Sequence, residues 1–272
     1  MQARCKKLKG VQIDLPFASV GGTENIMMAA CLADGVTTIN NAACEPEIVD
    51  HAEMMNKMGA KIVGAGTSTL TIEGVETLRA CEHEIIPDRI EAGTLLVAGA
   101  ITGGEVTVKH CRPDHLNALL DALKSAGVEV QTASSSVFVR AAHGIKAHNV
   151  ATAPHPGFAT DLQAQFMTLM TQADGVSTIS ENVFENRFMH VQELARMNAK
   201  IEITDRKAKV YGSPGQLVGA PVMATDLRAS ASLVLAGLVA KGETLVQRIY
   251  HLDRGYETVS YTHLTLPTTP YV

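Results

Sequence analysis

The sequence predicts an α/β fold in which apolar helices are buried and β-sheets lie outside them. An apolar, helix-like run followed by a glycine and a β-branched strand occurs four times, and its glycines, Gly35, Gly104, Gly175 and Gly242, are spaced 69, 71 and 67 residues apart. The runs themselves, such as residues 26–33, are apolar on every side, which is typical of a helix surrounded by other elements. The chain therefore repeats a unit of about 70 residues.

A second helix signal recurs in register with the first. Amphipathic runs end at Gly59, Gly127 and Asn198, spaced 68 and 71 residues apart, and each is followed by short alternating strands. Glycine, and less often asparagine, is the residue that ends a helix in the left-handed conformation, so both sets of positions are predicted as helix C′ residues. Each unit is then a strand, a helix, a strand, a helix and two strands.

Composition and charge exclude several classes of protein. The chain has 272 residues, of which 46% are hydrophobic and 19% charged, as in ordered globular proteins. The net charge is −5 and no basic run follows the pattern of a nucleic-acid-binding surface. No apolar stretch reaches the length of a membrane helix, and residues 1–7 lack the apolar core of a signal peptide. We predict neither a nucleic acid nor a membrane as partner.

Five scattered cysteines, without a C-x-x-C pair, favour a reducing cytoplasm over a disulfide framework. None lies in an evidently activated setting, and we assign no catalytic cysteine. The ten histidines show no spacing typical of metal ligands, so we predict no metal; His155 and His190 are interpreted as loop or packing residues.

The repeat pattern breaks near the C-terminus. The period requires a second amphipathic helix after residue 257, but residues 259–272 are rich in threonine and proline, which do not form one. This segment resembles translated sequencing-adapter read-through, and we exclude it from the fold. The alternative is a natural Pro/Thr-rich tail.

A small, glycine-rich loop, residues 18–23, opens the first apolar helix. Free amide groups and the positive end of the helix suit a phosphate at this position. The alternative is that Ser19 is a helix N-cap and the glycines serve close packing.

Charged residues stand at two further helix starts. Asp161 is either an N-cap or first-turn carboxylate, or a general base at the mouth of a cleft. Asp226 and Arg228 repeat this placement one unit later. Because an arginine at a helix N-terminus opposes the helix dipole, Arg228 is expected to need an anion or a carboxylate nearby.

Loop arginines complete the set of candidate residues. Arg187 and Arg254 stand in polar, aromatic loops, and Glu45, Glu47 and residues 87–89 lie at repeat edges. Each residue alone is more often part of a structural ion pair. Several guanidinium groups beside a helix-end phosphate site together favour a small polyanionic substrate.

With these residues in view, the chain resembles the family of UDP-N-acetylglucosamine 1-carboxyvinyltransferases, which are enolpyruvyl transferases. The resemblance runs from about Lys9 to Glu257 in the family's order and spacing. It rests on residues 41–50, 87–94, 152–156, 160–166, 183–191, 223–233 and 248–257.

The resemblance implies the family's fold, two inside-out α/β barrel domains of three repeats each that close on substrates between them. Residues 1–86 then resemble the last repeat of the first domain, and residues 87–258 a second domain that is truncated at its C-terminus. The family's first two repeats, with a Lys-Asn pair and a loop bearing a catalytic cysteine, are absent from the sequence. The chain therefore resembles a fragment.

The resemblance also implies roles for residues in the first domain. Phe17, Ala18, Ser19 and Val20 match the segment that binds UDP, with Ser19 and Gly21 near the diphosphate. Phe17 departs from the family, which often has a basic residue there. Glu45 matches a position near the domain junction.

Other implied roles fall in the second domain. Asp161 matches the carboxylate that takes the proton from the 3-hydroxyl of the sugar, and Val183 matches a backbone contact to the same nucleotide. Arg254 matches an arginine that engages phosphoenolpyruvate. Arg187, Asp226 and Arg228 match charged residues that line or order the cleft.

The implied reaction transfers the enolpyruvyl group from phosphoenolpyruvate to UDP-N-acetylglucosamine with release of phosphate, the first committed step of peptidoglycan synthesis, with no metal or organic cofactor. The alternative is a truncated sugar-nucleotide-binding or regulatory homologue without turnover. In either case the chain alone is expected to be poorly soluble and to catalyse nothing measurable, because one wall of the cleft is incomplete.

Overall fold

Residues 5–256 are described by a computed structural model of the chain, and they form two units. The first unit comprises the described residues up to Pro87 together with Pro154–Pro156, and the second comprises Asp88–Ala153 and the described residues from Gly157 onward. The interpretation of these units as one repeat of a larger domain and most of another stays a prediction. The adapter-like tail at residues 259–272 lies outside the described residues.

The first unit is a four-stranded sheet with two helices packed against it. Its elements are β1 (Gln12–Asp14), α1 (Val20–Ala30), β2 (Val36–Asn40), α2 (Pro46–Lys57), β3 (Lys61–Val63) and β4 (Thr69–Glu73). The strand order is β1-β2-β4-β3, with β1 parallel to β2 and β4 antiparallel to both of its neighbours. Ile39, Leu70 and Ile72 are fully buried, because alternate residues of a strand point to the same face. This order of elements is the one predicted from the repeat.

Helix α1 is not buried all round, and the prediction was wrong for this helix. Thr23, Met27 and Ala30 form its one buried face. Met28 is 42% exposed, and Leu32, in the turn that follows the helix, is 46% exposed. An apolar helix is buried on every side only where other elements cover every side, and within this unit the sheet and α2 cover one face of α1.

The second unit repeats the alternation of helices and strands. Its elements are α3 (Arg89–Ile101), β5 (Glu105–Lys109), α4 (Asn117–Ser125), β6 (Glu129–Thr132), β7 (Ser136–Arg140), β8 (Ile145–Lys146), β9 (Val150–Ala151), α5 (Gln163–Thr171), β10 (Ala173–Ser180), α6 (His190–Arg196), β11 (Lys200–Thr204), β12 (Lys207–Gly212), β13 (Pro221–Met223), α7 (Leu227–Gly237), β14 (Leu245–Gln247) and α8 (Tyr250–Asp253). Its sheets are β5-β7-β6, β11-β12-β10-β8 with β9 also paired to β10, and β13-β14.

Helix α5 is the centre of the second unit. All nine of its residues are buried, and it packs against helices α3 and α7 and strands β10 and β12. The hydroxyls of Thr168 and Thr171 donate within the helix, to the carbonyls of Ala164 at 3.0 Å and Thr168 at 2.7 Å. Gln165 Nε2 instead donates to Thr94 Oγ1 on α3 at 3.1 Å. The prediction of an apolar helix covered on all sides is confirmed for α5.

Three helices end as predicted. Gly59, Gly127 and Asn198 have φ values of +101°, +88° and +70°. Each lies one residue beyond the C-cap of α2, α4 or α6. Left-handed C′ residues therefore separate these helices from the following strands.

The other four predicted C′ positions need correction. Helix α3 ends one residue earlier than predicted, so Gly103, with φ of +67°, is left-handed in place of Gly104. Gly35, Gly175 and Gly242 have positive φ but lie three or more residues beyond the C-caps of α1, α5 and α7. They shape the turn or strand that follows the helix instead of ending the helix.

The apolar helices also begin earlier than their apolar runs. Ser19, Asp88 and Asp226 are the N-caps of α1, α3 and α7, and each accepts hydrogen bonds from first-turn amides. The first turns contain small and polar residues, so hydrophobicity alone places the helix starts too late.

Candidate active site

The Asp161 carboxylate binds two arginines. It lies in a short 3-10 turn, residues 160–162, which leads into α5. Arg187 Nη2 is 2.5 Å from Asp161 Oδ1, and Arg228 Nη2 is 3.2 Å from Oδ2. The N-cap of this turn is Ala159, without a side-chain cap, so the N-cap alternative for Asp161 was wrong. It is a first-turn residue, and both oxygens of its side chain face guanidinium groups.

The electrostatic environment keeps Asp161 ionised. Burial alone raises the pKa of its carboxyl, but Arg228 and Arg187 outweigh burial and lower this pKa below its usual value. The same contact raises the pKa of Arg228 against the opposing effect of burial. In this arrangement Asp161 is an anion and a weak base.

Asp226 and Arg228 share the start of α7 but have different partners. Asp226 is the N-cap, and its Oδ1 accepts hydrogen bonds from the amides of Arg228 at 2.9 Å and Ala229 at 3.0 Å. The Arg228 side chain reaches Asp161, 67 positions away in sequence. The carboxylate that the sequence predicts near Arg228 is therefore Asp161.

One cavity of about 540 Å³ in the second unit brings together five predicted residues. They are Asp161, Arg187, Asp226, Arg228 and Arg254. The cavity also contains two polar side chains that sequence analysis missed. Thr225 Oγ1 and His251 Nε2 line it and, within residues 5–256, are buried without a hydrogen-bond partner. Buried polar atoms of this kind are typical of a site that receives a polar ligand.

Arg254 is exposed and follows the short helix α8. The segment that carries it is anchored by Tyr256, whose hydroxyl lies 2.8 Å from Thr94 Oγ1 on α3. Gly255 packs tightly on α7, because a Cβ there would lie 2.5 Å from Leu227 Cδ2. Within the described residues, no hydrogen bond or ion pair engages the Arg254 side chain, which leaves its guanidinium available to an anion.

Val183 lies in the loop that carries Arg187. Its amide donates to Glu181 Oε1 at 2.9 Å, so this amide is already engaged within the protein. The predicted backbone contact of Val183 to a nucleotide stays a prediction. Glu181 was missed by sequence analysis; it is 1% exposed and directly follows Ser180, the last residue of β10.

The predicted phosphate loop belongs to the first unit. Ser19 is the N-cap of α1, and its Oγ accepts a hydrogen bond from the Gly22 amide at 3.1 Å. Phe17 is 64% exposed, Ala18 and Val20 are partly buried, and Gly21 is exposed in the first turn. The first-turn amides of a helix have no partner within the helix, so the cap and the predicted diphosphate contact are compatible.

Glu45 is buried at the start of α2. Its Oε1 accepts a hydrogen bond from the His155 amide at 3.3 Å, and its Oε2 is buried without a partner among the described residues. The side chain does not cap α2. Its role in binding stays a prediction.

The histidine His190 is a core residue, as predicted. It is 2% exposed, and its Nε2 lies 3.3 Å from Met167 Sδ. Burial lowers the pKa of His190 to about 4, although Asp226 opposes this shift. Among residues 5–256, no group of three or more His, Cys, Asp or Glu side chains is placed to hold a metal ion.

Comparison with known proteins identifies the family. The fold is a mixed α/β fold, and residues 1–261 match the family model described as EPSP synthase (3-phosphoshikimate 1-carboxyvinyltransferase). The chain belongs to this family. A crystal structure of the enolpyruvyl transferase NikO from Streptomyces tendae is similar, with a TM-score of 0.83 at 26% identity over 93% of this chain and 63% of that chain.

Curated relatives are more similar in sequence. The UDP-N-acetylglucosamine 1-carboxyvinyltransferase of Bdellovibrio bacteriovorus is 62% identical over 257 residues, which are 94% of this chain and 62% of that protein. The protein of the same name from Solibacter usitatus is 58% identical over 93% of this chain and 60% of its own length. The chain thus spans about 60% of the length of these relatives.

In the described part of the chain, no helix has both the length and the apolar character that crossing a membrane requires.

Proposed function

We propose that the chain is the greater part of an enzyme that transfers the enolpyruvyl group of phosphoenolpyruvate to the 3-hydroxyl of UDP-N-acetylglucosamine and releases phosphate. The observation that carries this proposal is the Asp161 carboxylate held between Arg187 and Arg228, in the cavity that Arg254 also lines. The names of the relatives support the choice of substrates. The product would enter peptidoglycan synthesis.

In this proposal Asp161 is the general base. It removes the proton of the 3-hydroxyl, the oxygen adds to C2 of phosphoenolpyruvate while C3 is protonated, and phosphate then leaves as C3 loses a proton. A carboxylate paired to two guanidinium groups is too weak a base for this step. The incoming substrate therefore has to displace one arginine from Asp161, and the displaced guanidinium then binds an anionic group of the substrate.

Other groups in the cavity position the substrate. Arg254 engages the phosphate or carboxylate of phosphoenolpyruvate, because its guanidinium is exposed and has no partner among the described residues. Thr225 and His251 supply two further polar contacts. Charge stabilisation and positioning by these residues account for the reaction without a metal or organic cofactor.

Finer features of the fold and of the partner set are also part of the proposal. We infer an inside-out barrel built from repeats. In each domain, buried helices like α5 would lie inside and the sheets outside. Residues 17–21 and Glu45 would serve the sugar nucleotide, and additional N-terminal repeats would complete the fold. The five cysteines form no disulfide, which supports a cytoplasmic location.

The proposal is tested in a completed enzyme, in which residues 1–257 of this chain are flanked by the segments that the Bdellovibrio relative has outside the aligned region. Asp161→Asn removes the base while keeping the size of the side chain. We expect kcat to fall at least a hundredfold. Because two guanidinium groups lose an anion, we also expect the free energy of unfolding to fall by about 1–2 kcal/mol, less than for a fully buried pair.

Asp121→Asn is the matched control, since Asp121 is exposed on α4 and its ion pair with Lys124, at 3.4 Å, lies at the surface. Its kcat should equal that of the parent enzyme. Phosphate release and thermal unfolding are measured on the same samples. If Asp161→Asn is destabilised but turns over normally per folded molecule, Asp161 is a structural residue and the non-catalytic alternative is favoured.

A further inference from the structure

Glu181 is a buried carboxylate that neither the sequence analysis nor the proposed reaction uses. It is 1% exposed at the end of β10. Its Oε1 accepts hydrogen bonds from the hydroxyl of Thr152 at 2.8 Å and from the amides of Val183 at 2.9 Å and Phe184 at 3.0 Å. These three bonds hold the turn that follows β10.

The second oxygen of Glu181 has a different partner. Glu181 Oε2 lies 2.9 Å from Thr160 Oγ1, and Arg187 Nη1 lies 2.8 Å from the same hydroxyl. A hydroxyl has one hydrogen to donate, and both neighbouring groups restrict its direction: the guanidinium only donates and the carboxylate only accepts. The Thr160 hydroxyl therefore donates to Glu181 and accepts from Arg187.

This chain of hydrogen bonds fixes the plane of the Arg187 guanidinium. Nη1 is held by Thr160, Nη2 is held by Asp161 at 2.5 Å, and the guanidinium carbon lies 4.8 Å from the centre of the Phe184 ring. Thr160 and Asp161 are adjacent residues, so one turn of backbone presents both acceptors.

We propose that Glu181 is a positioning residue, which acts through Thr160 to hold Arg187 against the carboxylate of Asp161. This inference rests on the proposed function, because it assigns Glu181 to the orientation of the same site. Glu181 touches no atom of the cavity's ligand in this scheme. It determines the direction in which Arg187 can turn when the substrate competes for Asp161.

Thr160→Val in the completed enzyme breaks the connection with little change in volume, and Thr160→Ser keeps it. We expect Thr160→Val to lower kcat about tenfold, with KM for phosphoenolpyruvate changed less than threefold, because a charge-assisted hydrogen bond is lost. Thr160→Ser should return kcat to within about threefold of the parent enzyme.

Thr152→Val is the matched control. It removes the other hydroxyl that donates to Glu181, but this hydroxyl has no contact with Arg187; its second bond is with the Asn182 amide. We expect lower thermal stability and a kcat within about threefold of the parent enzyme.

A double-mutant cycle then asks whether Thr160 acts through Arg187. In an Arg187→Lys background, which keeps the charge without the planar fork, Thr160→Val should change kcat by less than about twofold. The inference is overturned if the loss is tenfold in both backgrounds, if Thr160→Ser is as impaired as Thr160→Val, or if Thr152→Val has the same effect on kcat.

Glu181→Gln tests the carboxylate itself. If the amide oxygen keeps its bonds to the two backbone amides, the NH₂ group faces the Thr160 hydroxyl, which then accepts from it and no longer has a carboxylate to fix the direction of its hydrogen. Crystal structures of the completed enzyme should show Arg187 turned away from Asp161 in Glu181→Gln and Thr160→Val, and unmoved in Thr152→Val. Arg187 unmoved in all three overturns the inference. The position of Arg187 in these crystal structures tests the inference even if the parent enzyme releases no phosphate. Absence of phosphate release would instead reject the proposed function.

Discussion

At the residue scale, Asp161 owes its properties to partners that are distant in sequence. Arg187 and Arg228 lie 26 and 67 positions away, and together they lower the pKa of a partly buried carboxyl. The conflict between Arg228 and the helix dipole predicts that an anion is nearby. It does not identify that anion, because helix and strand periodicity carry no information about contacts between side chains on different elements.

His190 gives a residue-scale prediction about pH. Its pKa falls from 6.5 to about 4 on folding, because burial disfavours the charged imidazole. The unfolded chain therefore binds a proton at a higher pH than the folded protein does. The stability contributed by neutral His190 is complete above pH 6.5 and is lost as the pH falls toward 4. Over this range we expect a loss on the order of 3 kcal/mol.

The measurement is the free energy of unfolding by urea, taken at several pH values from 7 to about 4. The control is His190→Gln, a polar side chain of similar size that does not titrate. The variant should show a shallower fall between pH 6.5 and 4 than the parent protein. Equal slopes would mean that His190 does not titrate differently in the folded and unfolded states. Asp161 contributes a separate loss at lower pH, where its own carboxyl binds a proton.

Glu181 marks the limit of sequence analysis for single residues. Its hydroxyl partners, Thr152 and Thr160, lie 29 and 21 positions away, so the sequence does not reveal what the carboxylate binds. The available signal was the β-alternation of strand β10 itself. Ser177, Ile179 and Glu181 alternate with exposed or partly exposed residues and are all buried, which places a carboxylate on the core face.

At the element scale, the repeat predicts the alternation of helices and strands but not every boundary. The C′ residues of α2, α4 and α6 agree with the prediction, because an amphipathic helix ends where its pattern meets a left-handed residue. The apolar helices differ: α1 and α7 end at Ala30 and Gly237, well before the glycine that follows. Their apolar runs continue into the turn beyond the helix, so hydrophobicity cannot locate the end.

Replacing either of two glycines by alanine should change the free energy of unfolding, in opposite directions for the two positions. Gly127 is left-handed at the end of α4, with φ of +88°, so Gly127→Ala should lower the free energy of unfolding by about 1 kcal/mol. Gly21 lies in the first turn of α1 without positive φ, and a Cβ there would meet nothing within 4 Å. Gly21→Ala should raise the free energy of unfolding by up to about 1 kcal/mol.

Urea unfolding of the two variants and of the parent protein gives the change in the free energy of unfolding for each variant. Because both changes add one methyl group, each variant is the control for the other. Equal effects in the same direction would contradict the assigned backbone conformations.

At the scale of the whole molecule, burial of the apolar helices depends on what surrounds them. Helix α5 is covered by α3, α7 and two strands, whereas α1 exposes Met28 and Ala29. The same apolar sequence pattern thus gives a fully buried helix in one case and a partly exposed helix in the other. The degree of burial depends on the neighbouring elements, which the pattern does not specify. The relatives are longer than this chain, which spans about 60% of their length. We expect the additional segments to cover the exposed face of α1.

In the proposed function, this cavity carries out enolpyruvyl transfer when the protein is completed. The most direct test is phosphate release from phosphoenolpyruvate by the completed enzyme, with and without UDP-N-acetylglucosamine, beside the chain alone. We expect release only when both substrates are present, and none above background from the chain alone, because the chain spans about 60% of the length of its relatives and, in the proposed function, the remaining segments contribute to positioning and charge stabilisation. Release that does not require UDP-N-acetylglucosamine, or none from a folded completed enzyme, would contradict the claim.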